Sequence, residues 1–156
     1  MKNLIFSFSI FICVSYIAQT SPYVAITNVL KKTHPEITMD DKILAVNIWE
    51  VNDPNSRACN KSFDKVYYTY ESAKLNGGLK GLIVIAINKD NLSSIATISF
   101  SKDGNEKLIS LRLDEVRLDS LQQGARNFVF DSAGSEIYKN LPASEILISI
   151  NKLIIR

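Results

Sequence analysis

The chain has 156 residues, of which 46% are hydrophobic and 22% charged, an ordinary balance for a globular protein with a buried core. This length suits one domain and excludes two full ones. Eighteen basic and sixteen acidic side chains give a net charge of +2 without a block of like charge, which argues against nucleic acid as a partner. One histidine and two cysteines exclude a Cys/His zinc site and a disulfide framework, and no metal or cofactor is expected.

The first residues have the pattern of a signal peptide. Lys2 supplies a positive charge, and an almost unbroken apolar run follows from Leu4 to Ile17. This run is short for a membrane span, which takes roughly 20 residues. We therefore expect an exported protein, periplasmic or secreted, with no stable membrane span after cleavage. An uncleaved N-terminal anchor is the alternative. The predicted units are a signal peptide at 1–18, an N-terminal extension with a helix at 19–41, and a main domain at 42–156.

The remaining sequence predicts alternating helices and strands. Helical spacing after Pro22 predicts a first helix that ends before Pro35. Nearly continuous apolar runs predict buried strands at 42–49 and 81–88, and apolar residues from 56 to 74 recur at the spacing of a long helix. Further along, the pattern predicts a helix or a strand at 90–102, a strand at 107–113, a β-hairpin at 127–138 and a final helix from Pro142. The order indicates one α/β domain.

One segment resembles a known motif. It reads Val46-Asn47-Ile48-Trp49-Glu50-Val51-Asn52-Asp53-Pro54-Asn55-Ser56-Arg57. The phrase is similar to V-N-F-W-A-x-W-C-P-x-C-R of the exported thiol-disulfide oxidoreductases of the TlpA type, and weaker matches extend the similarity over roughly residues 40–155. The resemblance implies a thioredoxin-like fold, with a central mixed sheet flanked by helices.

The residues that carry the chemistry of that family are replaced. In this register Asp53 stands for the first cysteine and Ser56 for the second, and Ala125 or Arg126 stands for the family's cis-proline. Dithiol exchange needs one thiolate to attack and a second thiol to resolve the mixed disulfide, which a carboxylate and a hydroxyl cannot supply. These replacements within the resemblance favour a redox-inactive domain that acts as a binding or scaffold module over an enzyme. Asp53 is expected to cap the following helix instead.

The resemblance also indicates where such a module would bind. Arg57 and Arg126 are expected to recognise a carboxylate or an extended peptide of a protein partner. We define the candidate surface as the loop and helix start with the segment expected beside it: Asp53, Pro54, Asn55, Ser56, Arg57, Ala125 and Arg126.

Cys59 supports an alternative of a different class. Ser56 and Cys59 have the Ser-x-x-Cys spacing of peroxiredoxins, which implies a one-cysteine thiol peroxidase or oxidoreductase with Cys59 as its catalytic residue. On the helical spacing, Cys59 also fits the buried face with Phe63 and Val66, as a small apolar residue. A further reading is a disulfide between two chains through Cys59.

Overall fold

A computed structural model describes residues 21–73, 81–90, 93–116 and 126–154. The predicted signal peptide at 1–18 and Ala125 of the candidate surface lie outside these residues. In chain order, the helices and strands are α1 (Pro22–Thr33), β1 (Ile43–Trp49), α2 (Pro54–Tyr70), β2 (Leu82–Asn88), α3 (Ser93–Lys102), β3 (Ile109–Arg112), α4 (Leu113–Val116), β4 (Asn127–Phe130), β5 (Glu136–Lys139) and α5 (Ala143–Asn151).

The strands form one mixed five-stranded sheet in the order β3-β2-β1-β4-β5. β1, β2 and β3 run parallel, and β4 and β5 are antiparallel to their neighbours. Both β1 and β2 are buried along their whole length, as their continuous apolar runs predict for central strands covered on both faces. The sheet and its flanking helices confirm the predicted fold class.

The two faces of the sheet carry separate cores. Alternation along β1 sends Leu44, Val46 and Ile48 to the face covered by α1. The opposite face, which includes Trp49, packs against α2 and α5, where Phe63 and Ile146 are fully buried. β1 therefore ends between two packed layers, and the loop after it is held close to the start of α2.

Helix α1 is fastened to the turn of the β4–β5 hairpin. The Tyr23 hydroxyl donates to the Ser132 carbonyl at 3.1 Å, and its ring meets Phe130 edge to face. Gly134 in the turn has φ +83°, and a Cβ at this position would lie 2.5 Å from the Tyr23 ring. Glycine is required here by both the backbone conformation and the close approach of the ring.

The structure resolves one open assignment and moves two predicted boundaries. Residues 93–102, which fit either element, form a helix. α2 extends from Pro54 only to Tyr70, because the chain turns there and Ala73 bonds back to Tyr70. β3 ends at Arg112, whose N–H donates to the Glu115 carboxylate, so that α4 begins one residue later. None of the described helices has the length and continuous hydrophobicity of a transmembrane segment.

Candidate functional site

The candidate surface begins where β1 leaves the sheet. The Asp53 carboxylate accepts a hydrogen bond from the Asn55 N–H at 3.0 Å, and Pro54 occupies the first turn of α2. Proline is tolerated there because the first N–H groups of a helix have no partner within it. The structure therefore confirms Asp53 as the N-cap, with its negative charge in the favourable field of the helix N-terminus.

Ser56 stabilises the same turn from its buried side. Its side chain is buried, and its hydroxyl accepts from the Glu50 N–H at 3.2 Å and donates to the Asp53 carbonyl at 3.0 Å. The hydroxyl thus joins the end of β1 to the first turn of α2. Ser56, at the position of the second cysteine in the motif, therefore forms hydrogen bonds within the loop.

A buried amide pair lies beneath Ser56. Asn47 of β1 and Asn60 of α2 are both fully buried. The Asn47 Nδ2 group donates to the Ser56 carbonyl at 2.9 Å and to Asn60 Oδ1 at 2.7 Å. These bonds connect the centre of the sheet to α2 through buried polar contacts.

The end of β2 holds the loop from the other side. The Asp90 carboxylate accepts from the Val51 N–H at 2.7 Å and from Asn88 at 3.1 Å. Lys89 forms an ion pair with Glu50 at 2.6 Å. Residues 50 and 51 are therefore anchored to the neighbouring strand, and the loop between β1 and α2 has contacts on both sides.

Arg57 already has a carboxylate partner. Its guanidinium donates two bonds of 2.7 Å to Asp103, which follows α3, and the Asp103 side chain is only 9% exposed. The Arg57 hydrogen bond holds the pKa of Asp103 below its ordinary value, and Lys61 at 3.8 Å acts in the same direction. Bidentate Arg–carboxylate pairs are among the strong hydrogen bonds of proteins. The predicted carboxylate-binding side chain is thus engaged within the chain.

Arg126 is exposed at the start of β4 and makes no hydrogen bond or ion pair through its guanidinium in the described part of the chain. Its backbone is occupied, because the N–H donates to Asn140 at 2.9 Å and the carbonyl accepts from Ile48 at 2.7 Å. A ligand at this position would meet the side chain and not a free backbone edge. The described residues contain no cis peptide bond.

Cys59 lies beneath the candidate surface and is buried. Its thiol is 3.9 Å from both the Leu141 carbonyl and Asn127 Nδ2. Burial raises the pKa of the Cys59 thiol, and the charge of Asp53 adds to this shift, against smaller opposing effects of Arg126 and Asn127. A raised pKa disfavours the thiolate, which is the nucleophilic form.

The structure brings most of the predicted residues together. Asp53, Pro54, Asn55, Ser56 and Arg57 form one turn, and the charges of Asp53 and Arg126 both act on the thiol beneath them. The sequence analysis did not assign four side chains that hold this site, which are Asn47, Asn60, Asp90 and Asp103. In the described ranges, no group of three or more His, Cys, Asp or Glu side chains is placed to hold a metal ion.

Solved structures share this arrangement of strands and helices. A thiol:disulfide interchange protein from Bacteroides sp. aligns with a TM-score of 0.59 at 18% identity, over 74% of this chain and 76% of that one. The thioredoxin domain of a thiol-disulfide oxidoreductase from Bacteroides vulgatus aligns with a TM-score of 0.58 at 16% identity, over 73% and 80%. The chain has a thioredoxin-like fold.

A further structural neighbour is a secreted disulfide oxidoreductase from Mycobacterium tuberculosis, with a TM-score of 0.54 at 16% identity over 74% of this chain and 84% of that one. No protein-family model matches the sequence, and no curated protein sequence is significantly similar to it. At these identities the similarity establishes the thioredoxin-like fold, and function has to be argued from the site.

Proposed function

We propose that the protein is an exported, redox-inactive thioredoxin-like domain of the TlpA type that works as a binding or scaffold module for another protein or peptide. The observation that carries this proposal is the bonding of Asp53 and Ser56. In the motif that the sequence resembles, these two positions hold the reactive cysteines. Here the carboxylate caps α2 and the buried hydroxyl joins Glu50 to Asp53. Both positions have a structural use that needs no thiol.

Export is supported by the apolar segment that follows Lys2, which has the pattern of a signal peptide. It is further supported by the fold, since one neighbour with the same fold is described as a secreted disulfide oxidoreductase. Fractionation of cells that express the full chain tests this part. Recovery of a shortened chain outside the cytoplasm is expected, and a full-length chain confined to the cytoplasm would contradict it.

The redox part of the proposal is tested by a disulfide-reduction assay with insulin and dithiothreitol. The wild-type protein is expected to leave the rate at that of the reductant alone, because no pair of thiols is present to exchange. The double variant Asp53→Cys/Ser56→Cys restores the motif and serves as the positive control, with each single variant beside it. Catalysis by the wild-type protein that disappears in Cys59→Ser would overturn the proposal and favour the thiol enzyme.

The binding part assigns recognition of a carboxylate to Arg126. Arg57 is paired with Asp103, whereas the Arg126 guanidinium is exposed and carries no ion pair among the described residues. Binding to an array of short peptides with and without Asp or Glu is expected to favour the acidic members and to fall in Arg126→Glu. Lys65→Glu, at an exposed position of α2, makes the same change in net charge elsewhere. Equal loss in both variants would indicate a non-specific charge effect and contradict a site at Arg126.

A further inference from the structure

Two atoms of the buried amide pair have no hydrogen-bond partner among the described residues. They are Oδ1 of Asn47 and Nδ2 of Asn60. Trp49 Nε1 and Asn105 Oδ1 also have no hydrogen-bond partner among the described residues. They are two separate cases, because no hydrogen bond joins their side chains. Asn47 and Asn60 are bonded to each other at 2.7 Å, so their unpartnered acceptor and donor belong to neighbouring groups. Buried polar groups in native proteins are bonded to protein atoms or to internal water, with few exceptions.

Exchanging the oxygen and nitrogen positions of either side-chain amide does not give the pair a full set of hydrogen-bond partners. The Ser56 carbonyl can only accept, so the atom of Asn47 that faces it at 2.9 Å must be Nδ2. Asn47 Nδ2 also faces Asn60, which must therefore present Oδ1. The backbone of α2 thus fixes both amides, and the remaining acceptor and donor need a partner that can donate to one and accept from the other.

We propose that one internal water molecule binds at this amide pair. It donates to Asn47 Oδ1 and accepts from Asn60 Nδ2, with two hydrogen bonds of about 2.8 Å. A water molecule can donate one hydrogen bond and accept another, which is the combination that these two atoms require. The bound water completes the polar connection between β1 and α2.

Asn127 is suited to be the third partner of this water. It is the direct register partner of Asn47 across β1 and β4, where side chains on one face lie about 4.5–5.5 Å apart at Cβ. Its Oδ1 accepts one bond from the Leu141 N–H at 2.8 Å and keeps a second lone pair. Buried waters typically make about three hydrogen bonds, and three asparagines from β1, α2 and β4 can supply them.

The water site supports the candidate surface from below. Asn47 bonds to the carbonyl of Ser56, and the hydroxyl of Ser56 holds the first turn of α2. The water is held by buried amides alone, so its binding is independent of any ligand at that surface.

A crystal structure of the wild-type protein at a resolution that shows ordered water tests the proposal. Density for one water oxygen within about 2.7–3.2 Å of both Asn47 Oδ1 and Asn60 Nδ2 is expected. Absence of density there, or an Asn60 amide that has turned to bond a protein carbonyl, would overturn it.

Water-detected NMR in solution gives a second readout. The side-chain amide hydrogens of Asn60 are expected to show a cross-peak to a long-lived water, whereas those of Asn28, exposed on α1, see only rapidly exchanging solvent. The cross-peak should be lost in Asn47→Leu, which removes one partner of the water and keeps the Asn60 amide as the reporter. If that variant does not fold, the wild-type spectrum decides, because a missing Asn60 cross-peak in the folded protein contradicts a bound water.

Discussion

Replacement of Ser56 by alanine measures how much the second cysteine position now contributes to stability. The hydroxyl accepts from the Glu50 N–H and faces two carbonyl oxygens, that of Asp53 at 3.0 Å and that of Glu50 at 3.5 Å. Both carbonyls keep a backbone donor in the variant, the Arg57 N–H at 3.1 Å and the Asp53 N–H at 3.2 Å. Only the Glu50 N–H loses its acceptor. A buried group left without a partner costs about 1–3 kcal/mol. Because Glu50 is half-buried, we expect Ser56→Ala to lower the free energy of unfolding by about 1–2 kcal/mol, in the lower part of that range.

Urea unfolding followed by circular dichroism gives this free energy, and the loss corresponds to a fall in Tm of about 2–8 °C. Ser101→Ala is the matched control, because Ser101 lies exposed on α3 and surface substitutions usually stay within about 0.5 kcal/mol. Ser56→Cys keeps the size of the side chain and offers only weak hydrogen bonding, so it is expected to lose nearly as much as alanine. A Ser56→Ala variant as stable as the Ser101 control would refute the assignment of a structural role to this hydroxyl.

Three further predictions concern other parts of the fold. Gly134→Ala is expected to destabilise the protein by more than Gly104→Ala in thermal unfolding, since both have positive φ but only the Gly134 Cβ would meet the tyrosine ring of α1, at 2.5 Å. Asp103→Asn should change how the stability depends on pH. The hydrogen bond from Arg57 lowers the pKa of Asp103 in the folded protein. The stabilisation from this pair is therefore present above the ordinary carboxyl pKa and is lost as the pH falls through the lowered pKa. The Tm of Asp103→Asn should therefore fall less between neutral and strongly acidic pH, and parallel curves would contradict this pairing. Iodoacetamide should alkylate Cys59 quickly only after unfolding, because burial raises its thiol pKa, and rapid labelling of the native protein would contradict that environment.

The local pattern of apolar residues was sufficient to predict the strands of the fold. The apolar runs at 42–49 and 81–88 predict β1 and β2 because central strands exclude water on both faces. α3 was ambiguous, since it carries Ile95 and Ile98 on its exposed surface and lacks a clear apolar face. Hydrophobic periodicity indicates a helix only when one face of the helix packs against the core and the other faces solvent.

The candidate site was predictable only in part. The motif identified Asp53 and Ser56 because both lie within one short turn. It did not identify the partner of Arg57, since Asp103 is 46 residues further along the chain. The buried pair of Asn47 and Asn60 was missed for a different reason: asparagine is usually exposed, so only the folded structure shows that these two amides face each other between β1 and α2.

The contact of α1 with the hairpin turn fixes the end of the sheet at which α1 begins. β4 runs antiparallel to β1, so the turn held by Tyr23 lies at the end of the sheet where β1 begins, whereas Asp53 follows the end of β1. Seven residues of strand place these two ends about 20 Å apart. Whatever precedes Ser21 therefore joins the domain at the far side from the candidate surface. A bead or a fused protein attached on the N-terminal side would therefore be joined at the end of the sheet opposite Asp53.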